Sequence, residues 1–120
     1  MEIQFKGKSL DLSFGFKALT ILDKKLGMEV EQVSMGQGLQ LLVPNLLQGS
    51  LIAIGETILA ATAHHKKAPK ESDLDDILED IAENQGLEEF AEDIIKELGK
   101  RPMTRNLVPE EYQIQSKKEK

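Results

Sequence analysis

Cysteine is absent from the 120 residues. The chain can hold no disulfide framework and perform no thiolate chemistry, which suits a reducing compartment. It also lacks a basic stretch leading into an apolar core at its start, so no secretory signal is visible. Long hydrophobic runs are missing. Between Gln32 and Ala63 the sole charge is Glu56, but Pro44, Asn45, Gln48, Gly49 and Ser50 interrupt that stretch well below the ~20 apolar residues of a membrane span. Basic excess is missing as well. The formal net charge is −6, which argues against a general nucleic-acid binder.

Chemistry-bearing constellations are equally scarce. No Ser-His-Asp or Cys-His set can be assembled. His64 and His65 are the only histidines; adjacent helical residues diverge, and no cysteine or spaced carboxylate completes a metal site. Asp75–Asp76 and Glu88–Glu89 resemble acid–base pairs only in composition, because they sit on solvated faces with no apolar pocket to shift a pKa. Asp73–Leu74–Asp75–Asp76 lacks the alternation and glycine of a calcium loop. Gly36–Gln37–Gly38 lacks the remaining glycine and lysine of a phosphate loop. No catalytic residue, cofactor or metal is expected.

What is present is a change of hydrophobic period near the start. Ile3 and Phe5 alternate with polar residues, and after a Gly7–Lys8 turn Leu10, Leu12 and Phe14 do the same. A period of two predicts a β-hairpin over residues 2–6 and 9–14 with one buried face. From Phe16 the apolar residues fall at Phe16, Leu19, Leu22 and Leu26, which is helical spacing, and Gly27 follows as a C-cap. Phe14 and Phe16 are expected in the hairpin–helix core, with an exposed aromatic contact as the alternative.

A loop over residues 27–37 leads to a helix over 38–47, where Pro44 requires a kink or a start nearby. Ser50 is a good N-cap for a helix over 51–63. Leu51, Ile52, Ile54, Ile58 and Leu59 cover more than one of its faces, so it should be central and largely buried. A polar linker, His64 to Glu71, precedes Ser72 and Asp75, which are spaced as a capping box. Two stripes follow: Leu74, Ile77, Leu78, Ile81 and Ala82, then Leu87, Phe90, Ala91, Ile94 and Leu98. At about 100° per residue, the thirteen steps from Leu74 to Leu87 turn the stripe by roughly 220°. One straight helix would point its two apolar faces apart, so a break at Asn84–Gln85–Gly86 is expected, with Gly99 ending the second helix. Residues 100–120 have few apolar side chains and a basic end, and read as a flexible tail.

Charge is concentrated. Glu71 to Glu97 carries twelve acidic residues and one base, Lys96. Such a segment keeps a protein soluble or meets a basic partner. Asp76, Glu79 and Glu83 on the first acidic helix, and Glu89 and Glu92 on the second, are the candidate partner-binding carboxylates. Phe14 and Phe16 are the candidate aromatic contacts.

The hairpin running through Phe14–Gly15–Phe16 into a helix resembles the start of the tail assembly chaperones of long-tailed bacteriophages. The likeness continues in order through the apolar middle, Gly38 to Ala63, ending Ala60–Ala61–Thr62–Ala63. It goes on through the acidic helices of Ser72 to Leu98 and the Met103–Thr104–Arg105 tail. It departs where Pro44 interrupts the middle. The resemblance implies a non-enzymatic protein of the bacterial cytoplasm, absent from the finished virion. It would coat the tape measure protein, a very long, helix-rich and aggregation-prone chain. A ribosomal frameshift in that family often yields a longer product whose extra domain contacts the tail tube protein, and this chain would be the short product. Self-association is also compatible with the role.

The expected fold is α+β, mostly α: an N-terminal hairpin on a bundle of about four to five helices. Residues 1–99 form one domain, with hairpin 1–14, core helices 15–63 and acidic helices 72–98. A second function, from a different class, is an acidic DNA mimic that blocks a DNA-binding enzyme. Asp75, Asp76, Glu79, Asp80 and Glu83 would supply its carboxylates, but the hairpin and apolar stripes have no part in that job.

Overall fold

The computed structural model describes residues 1–27 and 37–113. Strand β1, Glu2–Phe5, pairs antiparallel with β2, Lys8–Asp11, with Ile3 opposite Leu10 and Phe5 opposite Lys8. The turn is Lys6–Gly7, one residue earlier than the sequence suggests. Both residues have positive φ, 51° and 78°, as a two-residue type I′ hairpin requires. The second strand also ends earlier than expected. Leu12 N–H still donates to Met1 O at 2.9 Å, but Ser13 N–H donates to Ala61 O at 2.8 Å. Ala61 lies in the last turn of a helix, where carbonyls lack intrahelical donors, so the chain leaves the hairpin by satisfying one of them.

Helix α1, Phe16–Gly27, buries Ala18, Leu19, Leu22 and Leu26. Phe14 is 1% exposed and belongs to the core, whereas Phe16 is 78% exposed. The expectation that both are core residues is corrected for Phe16. Ala18 draws the buried arc away from it: at about 100° per residue the arc of 18, 19, 22 and 26 is centred roughly 105° from position 16.

The middle segment divides at Leu41 into α2, Gln37–Gln40, and α3, Leu42–Leu47. Pro44 is the third residue of α3, where a backbone N–H would have no intrahelical acceptor and its loss is tolerated. Leu39 N–H donates to Asp23 Oδ1 at 3.0 Å, tying α2 to α1. Helix α4, Leu51–Thr62, begins where expected: Ser50 Oγ accepts from Ala53 N–H at 3.1 Å. Ser50→Ala should cost about 1 kcal/mol, read as a lower urea midpoint with an unchanged slope. Within α4, Thr57 and Thr62 are fully buried, and their hydroxyls donate to Ala53 O and Ile58 O, each at 2.7 Å. The helix is central, and Ala53 and Ile54 in its first turn are buried, but its first two residues are not. Leu51 and Ile52, expected inside, are 49% and 58% exposed.

Helices α5, Leu74–Asn84, and α6, Leu87–Lys100, are separated at Gln85–Gly86, so both apolar stripes reach one core. Ile77 and Ile81 face inward from α5; Phe90, Ala91, Ile94, Ile95 and Leu98 face inward from α6. The entry to α5 differs from the expected capping box. A single 3-10 turn, Glu71–Asp73, precedes it, and the Asp73 carboxylate accepts from Lys70 N–H at 2.7 Å.

The largest departure is at the end. Gly99 does not stop α6; it is buried inside it. Residues 101–113 fold back on that helix through two 3-10 turns, Arg105–Leu107 and Glu110–Tyr112. Thr104 is fully buried and Val108 is 5% exposed within the main core cluster. Thr104 Oγ1 donates to Leu98 O at 2.6 Å, which satisfies a carbonyl near the end of α6. The segment anchors itself with two buried side chains and one buried hydrogen bond, so the flexible tail expected from residue 100 does not begin there. The α+β, mostly α class holds, with a hairpin packed on the helices.

Candidate partner-binding surfaces

The outward carboxylates arise from helical spacing. Positions 76, 79 and 83 of α5 fall within about 60° of one another, as do 89 and 92 of α6, and all five residues are exposed. Among the described residues no side chain of α5 forms an ion pair; the ion pairs present join Glu97 to Lys100 at 3.7 Å and to Arg101 at 3.3 Å. Asp76 joins Asp73 and Asp80 along a cleft of 320 Å³ between α5 and the hairpin turn, where Lys6 and Gly7 form the other wall. Glu89 and Glu92 belong to an acidic face of α6 with Glu88, Asp93 and Lys96. Asp93 accepts from Gln85 Nε2 at 2.6 Å, which fastens the α5–α6 corner. The candidates are therefore not gathered at one point: Asp76 lies beside the hairpin, and Glu89 and Glu92 lie on the other acidic helix. Phe14 is inside the core and Phe16 stands alone at the start of α1.

The sequence did not single out a second type of surface. Leu47 is 52% exposed and, with Leu51 and Ile52, flanks the Gln48–Gly49–Ser50 turn. The turn must reach the surface, and the stretch around it has no charged residue to place there, which was the available signal. Leu47 also edges a groove of 160 Å³ between α3 and α6, floored by Leu46, Ala91 and Ile95 and bordered by Glu88, Glu92 and Tyr112. The Tyr112 hydroxyl donates to Glu92 Oε2 at 3.4 Å. Desolvation first, then the charges of Glu92 and Glu111, hold its pKa above the usual tyrosine value, so it remains a neutral donor.

The rings of His64 and His65 are tilted at 39° with centroids 4.0 Å apart, and His65 Nε2 lies 2.8 Å from Asp11 O. That contact ties the end of α4 to the hairpin. Among the described residues no group of three or more His, Cys, Asp or Glu side chains is arranged to hold a metal ion. No helix among them is long and apolar enough to cross a membrane.

The described residues thus form a small hairpin-and-helix domain whose distinctive features are open surfaces, one apolar and two acidic. A family model described as phage tail assembly chaperone protein, TAC, matches residues 2–111. The chain belongs to the phage tail assembly chaperone family. No curated protein and no solved structure matches it.

Proposed function

We propose that this chain binds the tape measure protein of its phage, keeps it soluble in the host cytoplasm and releases it as the tail tube assembles. The family match over residues 2–111 carries this reading. The surface chemistry supports it: uncovered Leu47, Leu51 and Ile52 offer apolar contact to a helical client. The acidic exteriors of α5 and α6 would keep the complex dispersed. The role is one of binding, without catalysis. Several copies on one long client would act by avidity, each contact being weak. A longer frameshifted product would bring the tail tube protein to the same complex.

Co-expression tests this. The tape measure protein should become more soluble and co-purify with several copies of this chain. Apolar contact should leave binding only modestly weaker between 0.1 and 0.5 M salt, over which the screening length falls from about 10 Å to 4–5 Å. Release by salt, matched by charge reversal at Asp76, Glu79 and Glu83, would place binding on the acidic face instead. A soluble tape measure protein without bound copies at any salt would remove the chaperone reading and favour the DNA mimic.

A further inference from the structure

We propose that the α3–α4 corner and the adjoining α3–α6 groove receive an amphipathic helix of a partner protein, its apolar stripe flanked by lysines or arginines. This rests on the chaperone reading and assigns it a face and a client chemistry.

Three of the five large apolar side chains left exposed among the described residues, Leu47, Leu51 and Ile52, lie within six positions of one another. Their positions are fixed by the turn between them: Gly49 N–H donates to Leu46 O at 3.0 Å and Ser50 N–H to Asn45 O at 2.9 Å. A patch held this way needs little ordering when it binds. Leu47 belongs both to the corner and to the groove, which makes the two continuous at that side chain.

The groove holds 160 Å³, below the ~300 Å³ at which small-molecule sites begin. It suits a side chain projecting from a helix, the i, i+3, i+4, i+7 mode of helix-in-groove recognition. Its charges select the flank. Glu88 and Glu92 border the groove, and among the described residues no base lines it. They stand four residues apart on α6, about 6 Å along the axis, so bases at i and i+4 of a partner helix can meet both. An uncharged flank would cover these carboxylates without a counter-charge, and an acidic flank would add like-charge repulsion.

Two labelled synthetic helical peptides with the same leucine stripe, one flanked by lysines and the other by glutamates, test this by fluorescence anisotropy with the full chain. The lysine peptide should bind at least about ten-fold tighter, a difference of one decade in Kd. The double variant Leu47→Ser, Ile52→Ser alters only exposed side chains, so circular dichroism should show an unchanged fold; it should weaken both peptides by about ten-fold. The double variant Glu88→Lys, Glu92→Lys should reverse the preference. Equal affinity for the two peptides, or indifference to Leu47→Ser, Ile52→Ser, overturns the proposal. Tighter peptide binding after removal of residues 114–120 would make the chain's own end the occupant. A dimer in sedimentation that Leu47→Ser dissolves would make it a second copy; either result also overturns the proposal. If the serine variant still co-purifies with the tape measure protein in full number, this face is rejected while the chaperone reading stands. If the lysine peptide binds as expected but the tape measure protein does not co-purify, the face stands and that reading falls.

Discussion

A chain ending at Arg105 should be about 2–3 kcal/mol less stable than one ending at Gln113, the net loss typical of removing well-packed core side chains. The shorter chain loses Val108, 5% exposed in the core cluster, and the half-buried Leu107 and Tyr112 packed against it. It also uncovers the face of α6 around Gly99 that this segment covers. Ordering eight residues opposes the gain at roughly 1 kcal/mol or more each, so the net figure is well below the gross burial. The fall should appear in the urea midpoint, with a slightly smaller slope because less surface is exposed on unfolding. A difference below about 0.5 kcal/mol, the usual effect of a surface change, would mean that the segment lies on α6 without contributing to the fold.

Sequence periodicity makes the hairpin, the helix from Phe16, the Ser50 cap and the break near Gly86 legible. Each depends on neighbours a few residues away: alternation, a side-chain oxygen three residues from an N–H, or the angle between two stripes. What periodicity does not reach are contacts made across the fold. Phe16 continues the helical stripe, but whether its end of the stripe is covered depends on how α1 lies on α4. Leu51 and Ile52 look like core because they are apolar; they are exposed because a surface turn precedes them. Thr104 and Val108 are too sparse to form a stripe and become buried only because the chain turns back on α6. The same holds for the surfaces. The carboxylates of α5 and α6 are readable as exposed faces, whereas the α3–α6 groove brings Leu47 together with Glu92 and Tyr112 from distant parts of the chain.

Gly99→Ala should be destabilising by about 1–2 kcal/mol in the full chain, an overpacking cost, and neutral or slightly stabilising in the chain ending at Arg105. Helix propensity alone predicts the opposite sign for the first, since alanine is favoured over glycine inside a helix by about 1 kcal/mol. The difference is steric. A Cβ at position 99 would collide with the Tyr112 carbonyl oxygen and press on Val108 Cγ2 at 3.4 Å. Both neighbours belong to the returning segment, and one is backbone, which cannot rotate out of the way. The collision can be relieved by lifting the segment off α6, so the cost cannot exceed what docking contributes, less the propensity gain. The two changes should therefore be strongly non-additive: once residues 106–113 are gone, alanine meets nothing from the segment and only the propensity gain remains. Equal effects of Gly99→Ala in the long and short chains would dissociate Gly99 from the segment, and its place inside α6 would then need another explanation. A coupling energy of about 2 kcal/mol or more, within the range seen for residues in direct contact, would establish that this glycine is kept small so that the chain can close over the helix.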